Sequence, residues 1–251
     1  MRYETMLPHQ IRRAIAENWP TVLPLGVLEY HGEHMGVGMD TLAVVKMLDL
    51  FEQEADIVIL PPFYYGAASY AVAAPEGSGS VQVSGNALAP FAEELFFSLL
   101  RIGFRNIHAI IHHQTENFVA GMPTDLAFKT AGRQAIFRFL ERERGEGWWG
   151  SQNMADYYAE HAEGENPFNW VQVHPLMPTG TTLTEYPFDH AGIGETSLML
   201  ALCPEAVDMD RFADNTGWYT QTAKDASAEL GTRGRDMILA HLRQILAPPK
   251  R

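Results

Sequence analysis

Three short segments of the chain concentrate side chains that bind metals and transfer protons. The first segment runs from Glu29 to Asp40; it begins with the sequence EYHGEH and ends at Asp40. Carboxylates and imidazoles are ligands that divalent cations such as zinc or manganese accept. The alternative is a polar turn with surface histidines, in which Asp40 caps the following helix. Five candidate ligands within these twelve residues favour the metal-binding interpretation.

The second segment, residues 112–117, reads HHQTEN and follows an apolar run. If the strand stays extended, Gln114 and Glu116 share one face and His113 points the other way. A polar cap on the next helix is the alternative. The third segment, residues 190–197, reads HAGIGETS. His190 suits proton transfer near neutral pH, and Glu195 can orient it, bind a metal or complement a helix dipole.

Strand-like and helix-like segments alternate along the chain. Buried strands are predicted at 21–28, 57–61 and 106–112, and helices at 41–55, 86–102, 124–144, 194–202 and 222–246. This alternation predicts a mainly parallel sheet with helices on both faces. Ligands of such sheets bind beyond the carboxyl ends of the strands, where the first two polar segments fall.

The sequence shows no internal repeat, and no linker divides it, so one domain is expected over residues 1–251. Residues 146–175 are aromatic and show no periodicity. We expect this stretch to be irregular and to form either a lid or an intersubunit segment.

Composition narrows the choice of partners. With 18 basic and 31 acidic residues, the net charge is −13, which repels phosphate backbones and anionic lipid. Nucleic acid and membranes are therefore not expected partners. Cys203 is the single cysteine and follows an apolar run, so a buried thiol in a cytoplasmic protein is expected. The first ten residues, MRYETMLPHQ, lack the apolar core of a signal peptide, so none is expected, and no apolar run is long enough to span a bilayer.

Together the three segments resemble the creatininase family. The family pattern Gly-x-x-Glu-x-His-Gly-x-His, followed by an Asp nine residues after the first His, is matched by Gly26, Glu29, His31, Gly32, His34 and Asp40. The second family motif, Asn-Gly-His with an Asn further on, corresponds to residues 112–117. The third, His-Ala-Gly followed by Glu-Thr-Ser, is present at residues 190–197.

The resemblance implies a three-layer α/β/α sandwich, often assembled as a homohexamer, with two zinc or manganese ions per chain. Glu29 and His31 would each bind one ion and Asp40 would bridge the two. Glu116 falls on a family ligand. The metal-binding histidine of the second motif falls on Gln114, so either Gln114 is a weak ligand, or His113 takes over, or one metal site is altered.

The resemblance also implies roles in catalysis and substrate binding. His190 would be the proton shuttle and Glu195 its supporting carboxylate. Tyr186 falls where creatininase carries a tryptophan that lines its substrate pocket, and His34 and His113 are the other expected substrate contacts.

The implied activity is that of a metal-dependent hydrolase of a small polar cyclic substrate, with metal-activated water attacking a ring carbonyl. The family includes diketo-inositol hydrolases of inositol catabolism, and the second motif resembles theirs, so a cyclic diketone or a cyclic amide is expected. The alternatives are a creatinine-type amidohydrolase and a non-catalytic binding protein with a degenerate metal site.

Overall fold

A four-stranded parallel sheet forms the centre of the molecule. The computed structural model describes residues 1–114, 117–157, 166–178 and 185–246. Within these ranges the strands are β1 (Thr21–Leu25), β2 (Val58–Ile59), β3 (Ile107–Ile111) and β4 (Val171–Pro175). Their order in the sheet is β2-β1-β3-β4, and each neighbouring pair is parallel. The predicted mainly parallel sheet is confirmed.

Helices cover both faces of this sheet. They are α1 (Pro8–Ala16), α2 (Met39–Phe51), α3 (Gly85–Ile102), α4 (Pro123–Arg144), α5 (Ile193–Leu202) and α6 (Ala228–Ile245). The described chain also contains short 3-10 helices at Tyr3–Thr5, Trp148–Gly150, Gln152–Met154, Pro167–Asn169, Pro204–Ala206, Met209–Asp214 and Trp218–Asp225.

Alternation along the strands separates two hydrophobic cores. Leu23 and Ala109 face one side, where they belong to a core shared with α3 and α4. Val22 and Ile110 face the other side, where the core is shared with α2, α5 and α6. Successive strand residues point to opposite faces of a sheet, so two buried faces require a helical layer on each. The α/β/α architecture is confirmed.

Several predicted ends of strands and helices were wrong, and these differences change where the polar segments lie relative to the strands and helices. β1 ends at Leu25 and β3 at Ile111, so neither polar segment continues a strand. The N-cap residue of α2 is Gly38, which places Asp40 inside the first helical turn. The predicted helix 222–246 is divided between the 3-10 helix Trp218–Asp225 and α6.

Residues 146–175 were predicted to be irregular, and this was wrong for the last five of them, which form β4. This strand lies at the edge of the sheet and its three middle residues are only half-buried, so it lacks the continuous apolar run of β1 and β3. Residues 158–165 of the segment lie outside the described residues. Its role as a lid or an intersubunit segment stays a prediction, as does the single domain.

Two further features bear on the composition analysis. Cys203 is buried, as predicted, and burial raises the pKa of its thiol. None of the described helices combines the length and the apolar character that crossing a bilayer requires.

A hydrogen-bonded histidine pair joins β3 to β4 inside the sheet. His108 Nε2 lies 2.8 Å from Asn106 Oδ1, and His108 Nδ1 lies 3.0 Å from His174 Nε2. Because Nε2–H of His108 donates to the amide oxygen, its Nδ1 accepts from His174. Burial lowers the pKa of His108 to about 3 and that of His174 to about 4, and neighbouring imidazoles add to both effects. Both rings are therefore neutral in the folded protein near neutral pH.

We expect this pair to make the protein less stable in acid. The unfolded histidines take up protons below their ordinary pKa of about 6.5, while the folded pair resists protonation down to about pH 4. The free energy of unfolding should therefore fall as the pH drops through this window. Urea unfolding midpoints at pH 7.5, 6.0 and 5.0 should fall more steeply for the wild type than for His174→Gln. The control His9→Gln, at an exposed position, should keep the wild-type slope, and equal slopes for all three proteins would contradict the prediction.

Candidate metal centre

The polar segments converge on a cavity at the carboxyl edge of the sheet. The turns after β1 and β3 and the first turns of α2 and α5 each contribute side chains. The cavity has a volume of about 420 Å³ and is lined by Glu29, Asp40, Ser69, Val72, His112, His113, Gln114, Phe188, Asp189, His190 and Glu195. The three segments identified in the sequence thus meet at one place.

Asp40 occupies the centre of this site. Its side chain is almost fully buried, with Oδ1 3.6 Å from His31 Nε2 and Oδ2 3.3 Å from His113 Nδ1. Two groups of candidate ligands share it. One consists of Glu29, Asp40 and His113, and the other of His31, Asp40 and Glu195; in each, the ligand atoms lie within 4.8 Å of one another. A carboxylate with one oxygen in each group is suited to bridging two cations.

The imidazole tautomers leave the inward nitrogens free to bind metal. His31 Nδ1 lies 2.9 Å from the carbonyl oxygen of Glu29, and His113 Nε2 lies 3.1 Å from that of Ala67. A carbonyl only accepts, so each of these nitrogens carries the hydrogen. In the neutral ring the opposite nitrogen, which lies on the side of the carboxylates, then has a lone pair that can bind a metal. Such second hydrogen bonds typically orient metal-binding histidines.

Unpartnered atoms and their spacing support the same conclusion. His31 Nε2 and Asp40 Oδ2 are buried and have no hydrogen-bond partner within the described part of the chain. Ligands placed tetrahedrally about 2.1 Å from a zinc ion lie about 3.4 Å apart. The separations of 3.3 and 3.6 Å between nitrogen and carboxylate oxygen match this spacing. The residues therefore fit a divalent metal.

The electrostatics show a site that attracts positive charge. Burial alone would lower the pKa of His31, but Asp40 and Glu195 outweigh it and raise this pKa to about 10. His113 behaves likewise, since Asp40 and Glu29 overcome burial and raise its pKa to about 10. Burial would raise the pKa of Asp40, but the two imidazoles hold it well below its usual range. A bound cation neutralises the same carboxylates that here favour protonated imidazoles.

His190 lies above the candidate ligands, at the edge of the cavity. Its Nε2–H donates to the carbonyl oxygen of Tyr30 at 2.9 Å, and its Nδ1 is 4.0 Å from Glu29 Oε2. The ring stacks on His31 with centroids 4.3 Å apart, and the edge of Tyr219 packs against it at 5.4 Å. One nitrogen is thus held by the backbone and the other is directed towards the carboxylates.

Glu195 takes up a position among the ligands. Its Oε1 lies 3.0 Å from His112 Nε2, and its Oε2 accepts from the Ala191 N–H at 2.7 Å and lies 3.6 Å from His31 Nε2. Burial would raise the pKa of this carboxyl, but His112 and His31 lower it. The geometry places Glu195 as a candidate ligand beside His31, which is one of the three roles that the sequence left open. The role implied by the family resemblance, a carboxylate that supports His190, stays a prediction.

The second motif differs from its predicted geometry. The chain leaves the extended conformation after Ile111, and Gln114 has a φ of 49°. His113 consequently turns towards Glu29 and Asp40, and Gln114 forms part of the cavity wall. The condition of an extended strand, under which His113 would point away, is therefore not met. Glu116, the other predicted ligand, lies outside the described residues.

Two predicted substrate contacts have structural partners instead. His34 is buried, with Nε2 3.0 Å from Thr196 Oγ1, and its Nδ1 accepts from Asn215 Nδ2 at 3.0 Å. Tyr186 is also buried, and its hydroxyl donates to the carbonyl oxygen of Gly194 at 2.7 Å. Neither is among the described residues that line the central cavity.

Sequence reasoning missed residues that shape the site without belonging to a motif. Asp189 accepts hydrogen bonds from the backbone N–H groups of Gly192, Gly194 and Glu195, and so fixes the turn that begins α5. Its position directly before His190 was the available signal. Asn215 holds the turn after β1 from 182 residues away at Glu33 and 181 residues away at His34, and no local pattern indicates it.

The fold and the site together define an α/β protein with a candidate paired-metal centre at the ends of its parallel strands. The family model described as creatinine amidohydrolase matches residues 4–237, and the chain belongs to this creatininase family. The family and its named relatives are hydrolases, which makes this chain a metal-dependent hydrolase.

Two relatives show how far the similarity extends. A creatinine amidohydrolase of Pseudomonas putida is 25% identical over 205 residues, covering 81% of this chain and 72% of the relative. A 3-dehydro-scyllo-inosose hydrolase of Thermotoga maritima is 24% identical over 213 residues, covering 84% of this chain. The match spans 59% of the length of the Thermotoga protein.

Solved structures share the fold. A structure titled "Creatininase Mn" aligns with a TM-score of 0.68 at 21% identity, covering 98% of this chain and 99% of that chain. A mutant creatininase described as of Zn-Zn type aligns with a TM-score of 0.66 at 22% identity, covering 98% of each chain. These neighbours are thus named with manganese or zinc.

Metal content should distinguish the two candidate ligands of the second motif. We expect His113→Ala to lose at least half of the metal bound by the wild type, because its Nδ1 faces both Glu29 and Asp40. The neighbouring control, Gln114→Ala, should keep the full metal content. Elemental analysis of protein purified without chelator measures this, with circular dichroism to verify folding. Loss of metal from Gln114→Ala alone would instead identify Gln114 as the ligand.

Proposed function

We propose that the chain holds two divalent ions and hydrolyses a small, neutral, polar cyclic substrate. The observation that carries this proposal is the pair of ligand groups that share Asp40 at the base of the cavity. One ion would be held by Glu29, Asp40 and His113, and the other by His31, Asp40 and Glu195. Either zinc or manganese suits these mixed oxygen and nitrogen ligands.

In this proposal the chain's own residues position the substrate carbonyl and carry the proton. The two cations, when bound, supply Lewis acidity that polarises a carbonyl and lowers the pKa of water from about 15.7 towards about 7. His190 takes the proton of the attacking water on Nδ1, because its Nε2–H is held by the carbonyl of Tyr30. It then gives this proton to the leaving atom as the ring bond breaks. The leaving atom is nitrogen in a cyclic amide and carbon in a cyclic diketone.

The cavity wall favours an uncharged substrate. Among the described residues that line it there is no lysine or arginine, while Glu29, Asp40, Asp189 and Glu195 supply carboxylates. Phosphate or carboxylate groups on a substrate would therefore lack a cationic partner beyond the metals. A volume of about 420 Å³ suits a single small ring, for which Ser69 and Gln114 offer polar contacts.

Two substrate classes follow from the relatives. The similarity to a 3-dehydro-scyllo-inosose hydrolase supports a polyhydroxylated cyclic diketone, which we propose first. The buried hydroxyl of Tyr186 supports this choice: it bonds to Gly194 and leaves no aromatic face in the lining at the position of the creatininase tryptophan. The second candidate is a creatinine-type cyclic amide, which the relative at 25% identity supports. Assembly as a homo-oligomer stays a prediction.

His190 should be required for turnover and not for metal binding. The variant His190→Gln keeps a donor near the position of Nε2 and removes Nδ1, so we expect turnover to fall about 10²- to 10⁴-fold. His190 also forms a third candidate ligand group, with Glu29 and His31, which does not contain Asp40. Because its Nδ1 is 4.0 Å from Glu29 Oε2, farther than the nitrogen–carboxylate contacts around Asp40, we expect metal content to stay at the wild-type value. Steady-state rates and elemental analysis on the same preparation test both expectations. Wild-type turnover with full metal would exclude His190 from proton transfer.

The substrate class can be tested by following the loss of each ring substrate by chromatography. The metal-loaded protein should hydrolyse neutral polyhydroxylated cyclic β-diketones with at least about tenfold higher kcat/KM than creatinine, because ring hydroxyl groups can bond to polar wall residues such as Ser69 and Gln114. A matched ring that carries a carboxylate should be a poor substrate. A preference for creatinine would support the second candidate. No hydrolysis of any of these rings by the fully metal-loaded protein would overturn the proposed function.

A further inference from the structure

Tyr219 contacts the proposed proton carrier but does not belong to the wall of the cavity. Its ring meets that of His190 with the centroids 5.4 Å apart and the ring planes inclined at 68°. Tyr219 is not among the described residues that line the central cavity. The ring contact therefore gives Tyr219 a route to the reaction that needs no contact with the substrate.

His190 depends on such contacts because the core does not enclose it. Its side chain is 27% exposed. His31 stacks on the ring at 4.3 Å, the carbonyl of Tyr30 accepts its Nε2–H at 2.9 Å, and Tyr219 packs against it. A hydrogen bond to a carbonyl tolerates a range of angles, so it does not by itself keep the imidazole on His31. The inclined ring of Tyr219 limits this movement.

Tyr219 is itself held in place by its surroundings. Its ring lies so close to the backbone of Gly217 that a Cβ there would be 2.6 Å from Cε1 and 2.7 Å from Cζ. In the same 3-10 helix, Thr222 Oγ1 accepts from the backbone N–H of Ile193 at 3.0 Å. Because Ile193 follows His190 closely in the chain, the helix that carries Tyr219 is bonded to the turn that carries His190. The two rings are thus held relative to each other.

We propose that Tyr219 is a positioning residue for the hydrolysis, whose ring keeps the imidazole of His190 stacked on His31 with Nδ1 directed towards the carboxylates. This inference rests on the proposed function, in which His190 carries the proton. An imidazole that leaves this position transfers the proton less often, since proton transfer requires close approach and alignment. The affinity for substrate does not change, because Tyr219 is not part of the described cavity wall.

Three substitutions separate the ring, the hydroxyl group and the exposed neighbour. Tyr219→Leu removes the ring and keeps an apolar side chain against the core shared with α2, α5 and α6. Tyr219→Phe keeps the ring and removes only the hydroxyl. Trp218→Leu is the matched control, because Trp218 is 87% exposed and its ring contacts Tyr219. The substrate is whichever of a neutral cyclic β-diketone and creatinine the metal-loaded wild type hydrolyses faster.

The separation of kcat from KM is the first readout. We expect Tyr219→Leu to lower kcat about three- to tenfold, with KM within about twofold of the wild type and full metal content. Tyr219→Phe and Trp218→Leu should keep the wild-type kcat. An equal loss of kcat in Tyr219→Phe would assign the effect to the hydroxyl, and an unchanged kcat in metal-loaded Tyr219→Leu would exclude an effect of the ring. Either outcome would overturn the proposal.

Crystal structures of the zinc-loaded variants give a second readout, which does not depend on activity. In Tyr219→Leu the His190 ring should leave its stack on His31 in part of the molecules, whereas in Tyr219→Phe it should stay stacked. A fully stacked His190 in Tyr219→Leu would overturn the proposal even if kcat falls. If the metal-loaded wild type hydrolyses neither ring, the proposed function fails, and the position of His190 in these crystals still decides whether Tyr219 holds it.

Discussion

The metal centre depends on the position of one buried carboxylate, that of Asp40, relative to the turn after β1. Both ligand groups use it, so a shift of this side chain would disturb both at once. The distance is set by backbone packing: a Cβ on Gly26 would lie 2.4 Å from the backbone nitrogen of Thr41. No side chain fits between the end of β1 and the start of α2. The absence of a side chain at Gly26 thus brings the helix that carries Asp40 against the turn that carries Glu29 and His31.

Residues outside the two ligand groups that share Asp40 hold the other parts of the site in place. His34 connects the β1 turn to α5 through Thr196, and to the 3-10 helix Met209–Asp214 through Asn215. Asn215 also accepts from the backbone N–H of Glu33. Because these side-chain hydrogen bonds reach distant parts of the chain, and the one to Thr196 is buried, they order a glycine-rich turn that has little regular structure of its own.

The sequence predicted the class of fold and the kinds of ligand, because both follow from local patterns. Buried strands show apolar runs, and polar residues directly after such runs gather at one edge of a parallel sheet. Glu29, His31 and Asp40 meet there in the structure. The strand β4 was missed because an edge strand needs no apolar run.

The geometry of individual side chains was beyond local patterns. The choice between His113 and Gln114 depends on where β3 ends and on the positive φ of Gln114, which periodicity does not reveal. Aspartate is a common N-cap residue, so the sequence alone suggests that Asp40 caps α2. In the structure Gly38 is the N-cap residue, and the Asp40 side chain can therefore make other contacts. The structural partners of His34 and Tyr186 lie far along the chain or in the backbone, and sequence spacing carries no information about them.

The stacking of His190 on His31 connects the proposed proton-transfer residue directly to a candidate metal ligand. The rings lie 4.3 Å apart, so the His31 ring supports the proposed proton-carrying ring. A cation bound to His31 would restrain this ring further, in addition to its contact with the Glu29 carbonyl. In the proposed mechanism, chelation would therefore remove the Lewis acid and this restraint on His190 in a single step. Loss of activity on chelation would therefore not separate the contribution of the metal from that of a well-held His190.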